Sequence, residues 1–438
     1  MERKVDRAIR EWYSREDHGV LLLRGSRRVG KTHSVRKFGR ECYDSVLELN
    51  FETNPEYGRF FESDVSADSI FERMSFSFPE ISFEGCLLFL DEIQSCRGIS
   101  SILDSLVSDG RCDVVCTESV SSEITGDSST LQIDHMEVVC MRPMDFEEFM
   151  WAMGFSHTQT DDVRRHICET IPFERFILDQ LNNLFRRYLV IGGMPASVSA
   201  YARTRMYSES HDEFGRIMES LSGDIRRYTR GPIDCIRIRQ CLDSIPHQIS
   251  RDGNHSFLYS EISGRKGYGR REFGPAISWL EDSGVIDICH NLEVFSELLR
   301  IREDGNTFRV YLRDTGLLSY MLGPDIVMGI VNGDLSVGDW SLFENAVFET
   351  LAGNGFDVYH HRDSSNRMAL DFVFRYGDHL AVMVIDRGVK RSCRMLKKVM
   401  GKEDVVSILL SDSNISVDGD GIIHCPLFGP CFFEPSRS

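Results

Sequence analysis

Val20, Leu21, Leu22 and Leu23 run without a polar break into a glycine-framed stretch, after which Val35, Phe38 and Cys42 return at helical spacing. The pattern predicts a buried strand, a tight loop and a helix, in that order. Ahead of them Val5, Ile9, Trp12 and Tyr13 share one face among charged neighbours, which predicts an amphipathic helix and not a signal peptide. Ser45 to Phe51, Gly85 to Leu90, Asp113 to Thr117 and Met136 to Cys140 read as further strands, and Arg142 to Phe149 leads into a helix. Strands alternating with helices predict an open parallel sheet whose ligand sits at the carboxyl ends of its strands.

Beyond this region the pattern changes. Phe173, Phe176, Ile177, Leu181, Leu184, Phe185 and Tyr188 recur at intervals of three and four, a helical signature, and Gly192-Gly193-Met194-Pro195 breaks it, either as a plain helix terminator or as a hinge. Ile217, Leu221 and Ile225 mark another helix. Leu258 to Ile262, a glycine-rich basic turn, a helical stretch from Phe273 to Asp282 and an apolar run from Gly284 to Ile288 follow a winged-helix order. Arg265, Lys266, Arg270 and Arg271 cluster where the second helix of that motif would begin. From about residue 336 a helix, Leu342 to Leu351, is followed by strands near Phe356 to His360, Leu370 to Phe374 and Leu380 to Ile385.

Composition narrows the classes. The 438 residues allow several domains with buried cores, and 42% hydrophobic with 27% charged residues is ordinary for a soluble chain. A net charge of −18 argues against indiscriminate binding to nucleic acid or anionic membrane, so any nucleic-acid contact must be a local patch. No apolar run reaches the roughly eighteen residues of a membrane span. Thirteen cysteines without a C-x-x-C pair suggest reduced thiols, and with them a cytoplasmic location.

The chemistry concentrates near the amino terminus. Gly25-Ser26-Arg27-Arg28-Val29-Gly30-Lys31-Thr32 satisfies G-x-x-x-x-G-K-[ST]: the glycines let consecutive N–H groups face an anion, Lys31 supplies a point charge for β- and γ-phosphates, and Thr32 offers a hydroxyl to Mg²⁺. Some sixty residues later an apolar strand ends in Asp91 and Glu92. In phosphate-loop enzymes the first acid holds the metal and a following Glu polarises the attacking water, which makes Glu92 the candidate catalytic residue and Thr32 and Asp91 the candidate metal ligands. Thr117, with Glu118 and Ser119, ends the next strand, where a polar side chain could sense the γ-phosphate. ATP is favoured over GTP because no N-K-x-D motif is present.

In order and content these motifs resemble the prokaryotic AAA-type ATPases whose carboxy-terminal half is a domain of unknown function. The resemblance rests on the phosphate loop, Leu90-Asp91-Glu92-Ile93-Gln94, Pro143 with Phe146 and Glu148, Tyr188 with Gly192 to Pro195, and Asp224 to Tyr228. It continues through Tyr311, Asp314, Gly316, Leu317 and Leu318 to Glu344-Asn345-Ala346-Val347, and so spans nearly the whole chain. It implies an α/β chain: a P-loop NTPase parallel sheet, then a helical and winged-helix region, then a small α/β restriction-endonuclease-like domain. The expected divisions are residues 1–155, 156–230, 231–335 and 336–438. Two departures stand out. Thr117-Glu118-Ser119 replaces a Thr-Gly-Ser type sequence, and Asp134-His135 stand where relatives carry a Gly-Arg pair, which puts rapid turnover in doubt unless Arg27, Arg28 or a neighbouring subunit supplies the charge.

For the carboxy-terminal part the resemblance implies a nuclease core that would hold Mg²⁺ between Asp371 and a Glu-x-Lys pair, with Glu344 as a further ligand in active relatives. Here Val384-Ile385-Asp386 stand in place of Glu-x-Lys, so an inactive remnant is expected, Asp386 with Lys390 being a poor substitute. The leading expectation is a Mg-ATP-dependent switch acting on a protein partner, as a monomer or an oligomer, with no membrane association. The alternatives are an ATP-regulated nucleic-acid processing factor, with DNA contacts through Arg265, Lys266, Arg270 and Arg271, and a nucleotide-binding scaffold without turnover.

Overall fold

The structure, a computed structural model, describes residues 1–61, 66–96, 98–119, 136–229, 231–250, 256–263, 269–294, 300–301, 307–333, 340–362, 369–387, 394–397 and 405–435. Asp134, His135, Arg265, Lys266 and Lys390, singled out above, lie outside these residues. The chain is α/β and divides into two compact units, residues 2–142 with 282–284, and residues 143–281 with 285–438.

The first unit contains α1 (Lys4–Tyr13), β1 (Val20–Arg24), α2 (Lys31–Cys42), β2 (Val46–Asn50), α3 (Ala67–Ser77), β3 (Cys86–Asp91), α4 (Ser100–Asp109), β4 (Cys112–Glu118) and β5 (Met136–Cys140). Its sheet is parallel throughout, in the order β2-β3-β4-β1-β5. Every residue of β3 is buried, as expected of a central parallel strand covered on both faces. Leu22, Leu49, Leu88, Leu90 and Cys116 form its core with Ile70, Phe71 and Met74 of α3 and Leu103 and Leu106 of α4. Of the apolar stripe the spacing predicts on α1, Val5, Ile9 and Trp12 are buried, the Trp12 indole N–H donating to Gly19 O at 3.1 Å, while Tyr13 is exposed.

The second unit contains α5 (Phe146–Ala152), α6 (His157–Cys168), α7 (Arg175–Ile191), α8 (Pro195–Thr204), α9 (Tyr207–Tyr228), α10 (Pro232–Ile249), α11 (Tyr259–Ser263), α12 (Arg270–Asp282), β6 (Ile286–Val294), β7 (Arg300–Ile301) and β8 (Phe308–Leu312). Then come α13 (Thr315–Leu322), α14 (Pro324–Val331), α15 (Trp340–Gly353), β9 (Tyr359–Arg362), β10 (Ala369–Tyr376), β11 (His379–Ile385), β12 (Val405–Ser411), β13 (Ser416–Val417) and β14 (Ile423–Pro426). One mixed sheet runs β13-β14-β12-β11-β10-β9-β6-β7, with β8 paired antiparallel to β6. The parallel β6–β9 pairing therefore places strands from both sides of residue 336 in a single sheet. Phe173 precedes its helix, which starts at Arg175, and α10 adds a helix beyond those expected from the sequence: Ile238, Cys241, Leu242, Ile245 and Ile249 recur at helical spacing on its buried side, and Pro246 lies inside it.

The motif residues of this unit are structural. Asp145 caps α5 by accepting from Glu148 N at 2.8 Å, while Glu148 accepts from Asp145 N at 3.2 Å, a reciprocal capping box. Phe146 packs edge-on against Phe185 at 5.1 Å between ring centroids. Gly192 ends α7 at φ +69°, and the following Gly193 N–H donates to Asp314 Oδ2 at 2.8 Å, while Asp314 Oδ1 caps α13 through Leu317 N at 2.9 Å. A Cβ on Gly193 would lie 2.0 Å from Met144 O, so the pair of glycines marks a close backbone crossing within this unit. Burial raises the Asp314 carboxyl to about 6 against the pull of these N–H donors.

Gly193→Ala is expected to cost at least about 3 kcal/mol, because the Met144 carbonyl is backbone and cannot move aside cheaply. Gly223→Ala on α9, where a Cβ meets nothing within 4 Å, should instead stabilise by about 0.5–1 kcal/mol. Urea unfolding of both variants checks the contrast.

Candidate functional site

The strand order sets the site. Because β4 lies between β1 and β3, the carboxyl ends of the three strands present the phosphate-loop motif, the end of β4 and the acidic pair side by side. The loop is built by its glycines. Gly30 sits at φ +101° immediately before α2, and a Cβ on Gly25 would lie 2.1 Å from Met141 O. Val29 is buried and its carbonyl accepts from Arg3 Nη1 at 2.8 Å, which fixes the loop from behind, while Arg28 is exposed at φ +66°.

Lys31 is 4% exposed, and its ammonium makes three hydrogen bonds: to Gly25 O (2.8 Å), Ser26 O (3.0 Å) and Ser119 Oγ (2.7 Å). Burial lowers it to about 8, opposed by the charges of Glu92 and Asp91. Asp91, 1% exposed, accepts from Thr32 Oγ1 (3.1 and 3.2 Å), from Asn50 Nδ2 (2.7 Å) and from the Thr117 hydroxyl. Burial pushes its carboxyl up, and these neutral donors hold it down. Glu92 adopts a left-handed backbone conformation, φ +60°, and its N–H donates to Thr117 Oγ1 at 3.0 Å. Its carboxylate accepts from Ser119 Oγ at 2.6 Å and Gln94 Nε2 at 2.5 Å.

Lys31, Thr32, Asp91, Glu92 and Thr117 thus meet in one network, with Ser26 and Gly25 contributing carbonyls. Thr117 is wholly buried and turns its hydroxyl to Asp91, so the β4-end hydroxyl that reaches Lys31 is Ser119, two residues further. Arg27 points to Glu52 and makes a two-pronged pair with it, 2.8 and 2.9 Å. Three participants escaped sequence reasoning: Ser119 as the specific bridge, Asn50, and Glu52. The last two are legible only as polar residues at the end of β2, which in this sheet order adjoins β3.

The substitution of Glu118 for glycine has a physical account. Glu118 is buried, and Arg24, its register partner on β1, donates from Nε to its Oε2 at 2.7 Å. A buried carboxylate is tolerated only with such a partner. Removing it by Arg24→Ala should therefore destabilise by about 2 kcal/mol, a value moderated because Arg24 is itself 40% exposed. The double variant Arg24→Ala/Glu118→Ala should recover much of that loss in chemical denaturation.

A glycine-hinged loop between a buried strand and a helix, with its lysine facing an acid at the end of a second strand, defines the phosphate-loop class of nucleotide-binding domains. Residues 17–150 match the AAA domain family, and residues 182–325 match a domain of unknown function, DUF8612. The amino-terminal unit is therefore a P-loop ATPase domain of the AAA type, joined to a carboxy-terminal region of unassigned function. No curated protein matches the sequence. Among solved structures, a Walker-type ATPase of Pyrococcus abyssi shares 15% identity over 74% of this chain and 96% of its own, with a TM-score of 0.41. The ORC1 protein of Aeropyrum pernix, solved in complex with DNA, shares 14% over 76% and 91%, TM-score 0.29. Cdc6p of Pyrobaculum aerophilum shares 11% over 76% and 93%, TM-score 0.24. Likenesses this loose say nothing of partners. Among the described residues no helix is long and apolar enough to cross a membrane.

Proposed function

We propose that this chain binds Mg-ATP between Gly25 to Thr32 and Asp91, and that hydrolysis or release of the nucleotide switches the state of its helical region toward a protein partner. The observation that carries the reading is the single hydrogen-bonded path Lys31–Ser119–Glu92, beside the Thr32–Asp91 contact. The hydroxyl and carboxylate oxygens of Thr32 and Asp91 are the hard donors that suit Mg²⁺, which when bound would neutralise charge on the β- and γ-phosphates.

The chain's own residues then divide the work. The loop N–H groups and the amino end of α2 face the phosphates. Lys31 exchanges its two carbonyl partners for phosphate oxygens. Ser119, which now donates to Glu92 and accepts from Lys31, is left with a free lone pair when Lys31 turns away, so the presence of a terminal phosphate is reported directly to Glu92. Glu92, held by Ser119 and Gln94, is the general base for water. Arg27 is the loop's candidate for the transition-state charge, on release from Glu52. Coupling to a partner requires that ATP bind two arrangements unequally. On a winged-helix reading of the stretch from α11 through α12 to the start of β6, Arg270 and Arg271, both exposed at the start of α12, are the candidate contacts. With the chain at −18, a protein partner is favoured over DNA.

Calorimetry and phosphate release test this. Lys31→Ala should weaken ATP binding by more than about a hundredfold, since it removes a buried charge-assisted contact. Glu92→Gln should keep affinity and slow release by about 10²- to 10⁴-fold. Absence of Mg-ATP binding to the folded wild-type chain would remove the proposal.

The lysine adds a pH signature. In the free chain it titrates near 8, whereas bound polyphosphate keeps it charged, so binding must recover a proton once the free lysine has lost it. Affinity is expected to fall about tenfold between about pH 7 and pH 9. A flat profile would contradict the buried position assigned to Lys31.

A further inference from the structure

A second acidic pair, buried between α15 and the carboxy-terminal sheet, is neutralised in a different way. Glu344 of α15 is 0% exposed and Asp371 of β10 is 7% exposed. Glu344 Oε1 accepts from the Tyr311 hydroxyl at 2.7 Å and from Arg309 Nη1 at 3.1 Å, and its Oε2 accepts from Arg387 Nη2 at 2.5 Å. Asp371 Oδ2 accepts from Ile385 N at 2.9 Å, while Oδ1 faces Arg387 at 3.5 Å and Arg309 at 3.9 Å. Two carboxylates are thus matched by two guanidinium groups.

A restriction-endonuclease-like core would place a divalent cation between these acids, and the residues present do not fit one. The inner oxygens already have cationic partners. A metal added to the closed cluster would leave an excess of two positive charges in a site with almost no solvent access, which costs far more than coordination returns. His360, fully buried on β9, has no hydrogen-bond partner on either ring nitrogen among the described residues, and burial, then Arg309, drives its pKa well below the usual histidine value, so it does not alter the charge balance. Arg309 lies deepest, 5% exposed on the core strand β8, whereas Arg387 follows the end of β11 and is 27% exposed. Its Nε is buried and has no acceptor among the described residues. Arg387 sits one position beyond Asp386, where the Glu-x-Lys pair of a nuclease would end.

We propose that Arg387 is the resident cation of this centre, standing in the place of a divalent metal, so that the Glu344–Asp371 pair braces α15 against the sheet without any metal and the centre is closed to metal-dependent phosphodiester cleavage. Removing Arg387 should reopen it. The test uses the full chain with Asp91→Asn, so that the nucleotide-side carboxylate does not contribute, and Mn²⁺ as probe, read by its electron paramagnetic resonance and by thermal denaturation with and without Mn²⁺.

The Asp91→Asn chain is expected to bind no Mn²⁺ at millimolar concentration and to melt identically with and without it. Adding Arg387→Ala should lower the melting temperature in chelator and create a site for about one Mn²⁺ per chain, at least about tenfold tighter than any residual binding, with a Mn²⁺-dependent rise in melting temperature. A third change, Asp371→Asn, should abolish that site. The proposal fails if the Asp91→Asn chain already binds Mn²⁺ in a manner that Asp371→Asn removes, or if Arg387→Ala neither lowers stability nor gains a cation. Should Arg387→Ala not fold, Arg387→Gln, which keeps a polar partner for Glu344, carries the same two readouts.

Discussion

A buried ammonium at the start of the helix after β1 and a buried carboxylate at the end of β3, two parallel strands with β4 between them, make the amino-terminal unit what it is. Lys31 and Asp91 are each almost wholly removed from water, and neither touches the other directly. Each is held by groups that only this strand order brings near: Ser119 and Thr117 from β4, which runs between β1 and β3, and Asn50 from β2 on the far side. In a sheet with β1 and β3 adjacent, the β4 hydroxyls would have no place between them. The glycines of the loop serve the same end, since Gly25 must approach the Met141 carbonyl closely for the Lys31 side chain to fold back over the loop.

That dependence explains why some of the site could be read from sequence and some could not. Gly25 to Thr32 and the run into Asp91-Glu92 are contiguous, and their spacing reports directly on a turn or on a strand leaving the core. Thr117 is on β4 and Ser119 lies just past its end, two residues further, and only the position of Lys31 and Asp91 separates their roles. Glu118, between them, faces the other way and finds Arg24, a partner 94 residues earlier in the chain. No local pattern encodes such a pairing. The same holds for the parallel pairing of β6 with β9, which joins two stretches that composition would separate.

In the second unit several residues that carry the family resemblance are polar and specific, and their contacts are architectural. Asp314 receives the Gly193 N–H and caps α13, and Asn345, fully buried on α15, exchanges two hydrogen bonds with the backbone of Leu312. A buried side chain that satisfies backbone groups is as sharply constrained as a ligand contact, because leaving such groups unpaired costs about 1–3 kcal/mol each. Specificity of sequence therefore does not by itself separate a brace from a reactive centre.

Charge balance does separate them. Around Asp91 the donors are two hydroxyls and an amide, all neutral, and the one ammonium nearby faces both Asp91 and Glu92, so the centre keeps a negative excess that a cation bound with a polyphosphate can relieve. Around Glu344 and Asp371 the donors include two guanidinium groups, which among the described residues match the two carboxylates. Each centre brings two acids together, Asp91 and Glu92 at the carboxyl end of β3, and Glu344 of α15 with Asp371 of β10. On the readings proposed above, whether the neighbouring donors are neutral or charged decides which centre has a use for a metal ion, and that distinction rests on contacts between remote residues, Arg309 and Arg387 among them.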